Sequence, residues 1–251
     1  MKLVFLGVSA AFAVGDNLFH SNMLIESTSG KKILIDCGSD VRHSLHALGY
    51  SYGDIDAVYV SHLHADHAGG LEWLGFCKKF RDHQKAALYI SEDQRATLWT
   101  NLLSGSMSSL EKEHATLESY FDVAAIDEGC FFWEQHEFRL IKTHHAVNCG
   151  CLLPSYGLLI TGDSKKIFIT TDTRFHLEYL ASAYQEADLI FNDCEIMDNP
   201  TGQHATYNEL TQLDRQTKAK MWLYDYDCDL LPDAEKDGFK GFVVRGQTFE
   251  F

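Results

Sequence analysis

Short apolar runs bounded by turn-forming residues recur along this chain, at Leu3–Leu6, Ser21–Glu26, Lys32–Asp36, Ala57–Ser61, Ala87–Ile90, Phe138–Thr143, Gly157–Thr161, Ile167–Thr171, Leu189–Asn192 and Met221–Tyr224. Runs of this kind, rich in Val, Ile, Leu and Phe and too short for a packed helix, predict buried β-strands. Gly15-Asp16-Asn17 and Gly162-Asp163 supply glycine-containing polar breaks between them. Stretches of helical character fall between several runs, at Val41–Leu48, Leu71–Phe80, Arg174–Gln185 and Tyr207–Leu213. Strands alternating with such helices predict an α/β fold of two sheets covered by helices, with polar residues collected at strand ends. From Glu92 to Glu118 the pattern changes, and Trp99, Leu102, Leu103, Leu110 and Leu117 predict amphipathic helices separated by Ser104-Gly105-Ser106. That segment is expected to be either a lid or dimer-forming element, or an ordinary packed helical pair.

Length and charge narrow this picture. The 251 residues show no Pro/Ser-rich linker, low-complexity tract or internal repeat, so a single domain spanning residues 1–251 is expected. Thirty-six acidic residues against twenty-one basic ones give a net charge of −15, and the basic ones cluster only in pairs such as Lys78-Lys79 and Lys165-Lys166. A long nucleic acid would meet a repulsive average field, so none is expected as a partner. Seven cysteines without a CxxC pair read as reduced thiols of a cytoplasmic protein, or of the host cytoplasm for a viral one. Cys149 and Cys151, the nearest pair, read as small residues packing in a hairpin. Met1-Lys2 followed by Leu3 to Val14 has the composition of a short signal peptide, but Gly7 interrupts the apolar run, so a first strand is expected instead. No stretch is long and apolar enough to span a membrane.

The chemistry concentrates in Ser61-His62-Leu63-His64-Ala65-Asp66-His67, directly after the apolar run Ala57-Val58-Tyr59-Val60. A strand ending near Ser61 projects His62 and His64 to one side, while Asp66 and His67 fall on the loop beyond, placed for a second ion roughly 3.5–4 Å from the first. Gly69-Gly70 relieves crowding where a Cβ would press on that loop. Two divalent cations are therefore expected, and imidazole with carboxylate suits Zn2+, with Mn2+ or iron also compatible. These four residues cannot complete two ions alone, so further ligands are expected from later strand ends: His144-His145, Asp172, and a third cluster of His204 and Asp225.

On these residues the chain resembles the metallo-β-lactamase superfamily and, within it, the RNase Z-like phosphodiesterases. The signs are Phe5-Leu6-Gly7, Ser21-Asn22, Ile35-Asp36-Cys37-Gly38, the HxHxDH run, His145, and Thr171-Asp172-Thr173. The resemblance implies a metallo-β-lactamase-type αββα sandwich, with His62, His64 and His145 holding one ion, Asp66 and His67 the other, and Asp172 bridging. Where that branch carries a final histidine ligand this chain has Asp225. Asp225 is therefore expected to ligate in its place while His204 protonates a leaving oxygen; alternatively His204 is the ligand and Asp225 supports it. Asp66 and His204 are the expected catalytic residues, Asp66 orienting or deprotonating the nucleophile.

More closely, Pro154-Ser155-Tyr156-Gly157-Leu158, Phe168 to Thr173, Asp193-Cys194-Glu195 and His204-Ala205-Thr206-Tyr207 look like the anti-Pycsar enzymes. That resemblance implies hydrolysis of 3′,5′-cyclic nucleotides, cyclic CMP and cyclic UMP among them, by a homodimer. Enzymes of this branch that trim tRNA carry a long arm between the third histidine motif and the bridging aspartate, whereas 26 residues lie between His145 and Asp172 here and read as a hairpin. A small cyclic substrate, whose one negative charge two cations neutralise, fits better. The alternatives are an RNase Z-like ribonuclease, a metallo-hydrolase of lactones, thioesters or β-lactams, and a degenerate member that sequesters a nucleotide without turnover.

Overall fold

The computed structural model describes residues 1–197, 199–227 and 230–251. The strands are β1 (Lys2–Phe5), β2 (Met23–Glu26), β3 (Lys32–Ile35), β4 (Ala57–Val60), β5 (Ala86–Ser91), β6 (Phe121–Ile126), β7 (Cys130–Trp133) and β8 (His136–Lys142). They continue with β9 (Val147–Asn148), β10 (Cys151–Leu152), β11 (Tyr156–Thr161), β12 (Lys166–Ile169), β13 (Leu189–Asp193), β14 (Met221–Tyr224), β15 (Gly241–Phe242) and β16 (Thr248–Glu250). Among the described residues two seven-stranded sheets form, ordered β16-β1-β2-β3-β4-β5-β6 and β15-β14-β13-β12-β11-β8-β7. In the first, β3 to β6 run parallel and β16, β1 and β2 pair antiparallel; in the second, β12 to β15 are parallel and β7, β8 and β11 antiparallel.

Alternation along each strand explains why these segments read as continuous apolar runs: both faces are buried. Leu3, Phe5, Ile33, Ile35 and Tyr59 face Leu158, Ile160, Ile167, Ile169 and Phe191 between the sheets. Their neighbours Val4, Leu34, Val58 and Val60 pack outward on Val41, Leu45, Leu71 and Leu74 of the covering helices. On the far side Phe168 and Ile190 meet Leu180, Ala183 and Tyr184 of the helix Leu177–Glu186. Phe5 joins the sheets through rings centred 5.2 Å from Phe191 and 5.6 Å from Tyr224. The result is the expected αββα layering.

The structure adds β6, β7, β9, β10, β15 and β16 to the expected strands. Most of β6 is only half buried and β15 and β16 are two and three residues long, so none produces a recognisable apolar run. Ser104-Gly105-Ser106 does not separate two helices. The helix Glu92–Thr97 passes through the π-helical turn Leu98–Leu103 into Ser104–Met107, and Leu98, Leu103 and Met107 bury themselves on the outer face of the first sheet, which holds the run together across the glycine. The helix expected from Arg174 starts at Leu177, because Arg174 is engaged with His144, His145 and Gln203. Tyr207–Leu213 shortens to Tyr207–Leu210, with a second turn at Arg215–Lys218 capped by Asp214. No helix among the described residues is long and apolar enough to cross a membrane. Of the seven cysteines, Cys228 lies outside the described residues; Cys149 and Cys151 are exposed in the β9–β10 hairpin.

Candidate metal centre

Strands from both sheets end at a common edge, and the chain leaves them abruptly. Asp36 after β3, Thr171 after β12 and Asp225 after β14 take φ values of 65°, 51° and 67°, a left-handed conformation that non-glycine residues adopt only where their surroundings enforce it. Asp36 shows what enforces it. Its carboxylate accepts from the Ser61 backbone N–H and hydroxyl, each at 2.8 Å, and pairs with Nδ1 of His67 at 2.8 Å. Ser61 Oγ in turn lies 3.1 Å from Nδ1 of His62. One buried aspartate thus sets the orientation of two imidazoles, leaving both Nε2 atoms for another purpose. His62 and His64 follow β4 in an irregular segment, not on the strand itself, whereas Asp66 and His67 sit in a short helix, Ala65–Ala68, where a loop was expected. Glycine is required nearby for close approach: a Cβ at Gly38 would lie 2.0 Å from the Asp66 carbonyl oxygen, and one at Gly70 would lie 2.3 Å from that of Gly38.

Three overlapping groups of donors result: His62, His64, His145 and Asp172; Asp66, His67 and Asp172; and Asp172, Asp193, His204 and Asp225. Within each, the donor atoms lie within 4.8 Å of one another. Asp172 belongs to all three. Its Oδ1 is 3.2 Å from His67 Nε2, and its Oδ2 is 3.7 Å from His62 Nε2 and 3.5 Å from His145 Nε2. His145 Nδ1 is oriented by the Gln203 carbonyl at 2.9 Å, and His67 Nε2 is 3.0 Å from Asp66 Oδ2. His62 Nε2, His67 Nε2, Asp172 Oδ1 and Asp193 Oδ1 are buried without a hydrogen-bond partner. Buried polar atoms of this kind are costly unless a ligand engages them.

The electrostatics agree. Burial holds His62 well below its ordinary range and brings His145 down to about 4, so both are neutral at pH 7 and offer a lone pair. Burial also works against charge on His67, but Asp172, Asp66 and Asp36 outweigh it and raise the ring, so a proton there partly offsets the crowded carboxylates. Asp172, despite its burial, is held well below the carboxylate range by His67 and the other rings, and burial with Asp172 and Asp193 beside it pushes Asp225 up. The ion pairs of Asp36, Asp66, Asp172, Asp193 and Asp225 among the described residues are to histidines alone. A set of imidazoles and carboxylates with orphaned donor atoms and no lysine or arginine pairing fits divalent cations of the zinc or manganese type.

His204 is held differently. Asp193 Oδ2, which also accepts from the Thr173 backbone N–H, lies 2.9 Å from His204 Nδ1, with Asp225 Oδ2 at 3.7 Å. Against the burial penalty, Asp193, Asp172 and Asp225 push His204 up to about 11, while burial drives Asp193 upward. Asp225 clusters with Asp172, Asp193 and His204; Asp66 and His67 form their own group with Asp172. Thus His62, His64, Asp66, His67, His145, Asp172, His204 and Asp225 all converge on this edge. His144, in contrast, turns away to stack at 4.8 Å on His176.

Asp36 and Asp193 were not singled out from sequence, although both fall within family-like stretches, because an aspartate at a strand end carries no local signal of what it orients. Ser21 donates to the Ser9 carbonyl at 3.2 Å and Asn22 to that of Asp66 at 3.0 Å, both bracing the edge. Tyr120 and Phe121 are buried in the outer core, where they are closed to a nucleobase. A cavity of about 250 Å³ opens beside the first group, lined by His62, His64 and His145 with Leu63, Thr97, Leu153 and Pro154.

Comparison with known proteins gives the family and the fold. A family described as "Anti-Pycsar protein Apyc1" matches residues 1–249. An Anti-Pycsar protein Apyc1 of Paenibacillus harenae is 33% identical over 255 residues, covering 100% of both chains. The metallo-β-lactamase-fold protein YhfI of Bacillus subtilis superposes with a TM-score of 0.77 at 19% identity, covering 99% of this chain and 98% of its own. The short form of human tRNase Z gives 0.70 at 18% identity, with 100% and 99% covered. The fold is that of the metallo-β-lactamases.

Proposed function

The chain belongs to the Anti-Pycsar protein Apyc1 family, and from that membership we propose that it is a metal-dependent phosphodiesterase hydrolysing 3′,5′-cyclic nucleotides, cyclic CMP and cyclic UMP among them, to nucleoside monophosphates. In that role it removes a cyclic-nucleotide immune signal. The observation that carries the reading is the convergence of three donor groups on Asp172, with orphaned Nε2 atoms on His62 and His67. Two cations, zinc or manganese, would be held by His62, His64, His145 and Asp172 on one side and by Asp66, His67, Asp172 and Asp225 on the other. When bound, they supply Lewis-acid polarisation of the phosphoryl oxygen and a lowered pKa for water.

The chain's own residues do the rest. Asp66 orients the attacking water and takes its proton, and water oxygen bonds to phosphorus as one ribose ester oxygen leaves. His204 delivers the proton that the departing oxygen needs. Three features support this: Asp193 engages Nδ1 and leaves Nε2 to donate, the ring holds its proton at neutral pH, and it stands beside His145 at 5.0 Å between ring centres. With His204 taken as the proton donor, Asp225 is left as the last ligand, a carboxylate binding zinc at about the same distance as an imidazole.

A small substrate is favoured over tRNA. β11 and β12 form a hairpin whose turn is closed by the Gly162 N–H on the Lys165 carbonyl at 3.0 Å, so no arm extends from it, and the net charge is −15. The anti-Pycsar resemblance further implies a homodimer, and the cysteine usage, seven without a CxxC pair, supports a cytoplasmic location. The test is a panel of the four cyclic mononucleotides, bis-p-nitrophenyl phosphate, a precursor tRNA, a lactone and a chromogenic cephalosporin. We expect turnover of cyclic mononucleotides and the aryl diester; turnover of the lactone, the cephalosporin or the tRNA alone would refute the reading.

A further inference from the structure

The cavity beside His62, His64 and His145 contains two buried polar groups that the hydrolytic machinery does not use. Gln94 lies on the helix following β5, and its Nε2 donates to the Ser61 carbonyl at 3.0 Å. That bond fixes the amide, so its Oε1 is an acceptor, and this oxygen is buried without a partner. Ser155 precedes β11, and its backbone carbonyl is committed to the Thr143 N–H at 2.9 Å. Its hydroxyl is likewise buried and unpartnered. Both residues are 2% exposed, and both line the cavity. Two side chains of one wall thus each carry an unpaired polar atom, which a ligand bringing at least one hydrogen-bond donor would satisfy.

The remaining lining limits what that ligand is. Leu63, Thr97, Leu153 and Pro154 give largely apolar walls, and about 250 Å³ is below the usual range for a site enclosing a whole drug-sized ligand. A single flat heterocycle with a polar edge meets both conditions. Asp93 stands at the rim with its carboxylate already accepting from Ser91 Oγ at 2.6 Å and Tyr156 Oη at 2.7 Å, adding negative character that favours an N–H over a carbonyl. The first donor group forms one side of the same cavity, so a ring seated there is within reach, through its ribose, of a phosphate at that group. We propose that this cavity is the nucleobase pocket, in which Gln94 Oε1 accepts from an N–H of the base and Ser155 Oγ pairs with a second polar atom of the same ring. The assignment rests on the cyclic-nucleotide reading above and extends it from the phosphate to the base.

The test compares a substrate that has a base with one that lacks it. Kinetics of wild type, Ser155→Ala, Gln94→Glu and Gln94→Met are measured on cyclic CMP and on bis-p-nitrophenyl phosphate, together with calorimetric binding of CMP. Gln94→Glu keeps an acceptor oxygen but loses the bond to Ser61, so it separates base reading from support of the metal loop. We expect Ser155→Ala to raise KM for cyclic CMP about five-fold with a smaller change in kcat, to weaken CMP binding by a similar factor, and to lower the ratio of cyclic CMP to aryl-diester kcat/KM about five-fold. Gln94→Glu is expected to retain CMP binding better than Gln94→Met. If the ratio stays at its wild-type value in Ser155→Ala and Gln94→Met while wild type turns over cyclic CMP, the pocket assignment is overturned and the phosphodiesterase reading stands. If wild type turns over the aryl diester but no cyclic nucleotide, both fall.

Discussion

Asp172 is the residue on which the site depends most, because it is the one carboxylate that all three donor groups share. Asp172→Asn keeps the shape of the side chain but removes its charge, and it should reduce bound metal to one ion per chain or fewer and eliminate turnover. Metal analysis of the variant checks this, and full metal content would contradict it. His204 and Asp225 are separable by the same measurement. His204→Ala should retain metal yet lose about 10²–10⁴ in kcat, the usual contribution of a proton donor. Asp225→Ala should lose metal first. The pH profile gives an independent readout: a donor works only while protonated, so activity present below the His204 pKa falls as pH rises through it. That pKa is pushed up to about 11 in the metal-free chain, and bound cations lower it. The alkaline limb should therefore disappear in His204→Ala, and a limb that persists would assign it to another group.

At the scale of elements, what was legible in sequence follows from how much of each strand is buried. β1, β3, β4, β11 and β12 bury both faces and announce themselves as unbroken apolar runs, whereas β15 and β16 at the sheet edges do not. The same contrast holds in the site. His62, His64, Asp66 and His67 stand together in sequence and declare a metal centre by themselves. His145, Asp172 and Asp225 are isolated at strand ends, where their position after apolar runs marked them as candidates, and the family pattern was needed to choose between His144 and His145 and to assign each ligand to an ion. Asp36 and Asp193, which hold His67 and His204 at 2.8 and 2.9 Å, were not found, since their role exists only once distant strands lie side by side. The short helix that carries Asp66 is pressed against Gly38, so Gly38→Ala should displace it, cut metal content by at least about half and lower thermal stability. Gly49→Ala tests whether any glycine would do: its φ is +82° but nothing lies within 4 Å, so it should cost stability without touching metal content. Equal metal loss in both variants would remove Gly38 from the account.

For the whole molecule, the two sheets meet through Phe5, Phe191 and Tyr224 directly behind the ligating edge, so ion binding and folding are coupled. A ligand held at a thousand times its dissociation constant adds about 4 kcal/mol to a folded state. In a chain of this size that shifts the midpoint by roughly 10 °C. Chelation should therefore lower the melting temperature by about that amount, and an unchanged midpoint would indicate that the cluster holds no tightly bound metal. The net charge of −15 gives the molecule a repulsive field for polyanions but a small one for a singly charged ester, so cyclic-nucleotide turnover should depend only weakly on salt. The most direct measurement is chromatography of cyclic CMP and cyclic UMP incubated with purified protein as isolated, after chelation, and after zinc or manganese is returned. We predict conversion to the nucleoside monophosphate in the first and third samples and none in the second; undiminished conversion by the chelated protein, or none in any sample, would contradict a cation-driven phosphodiesterase.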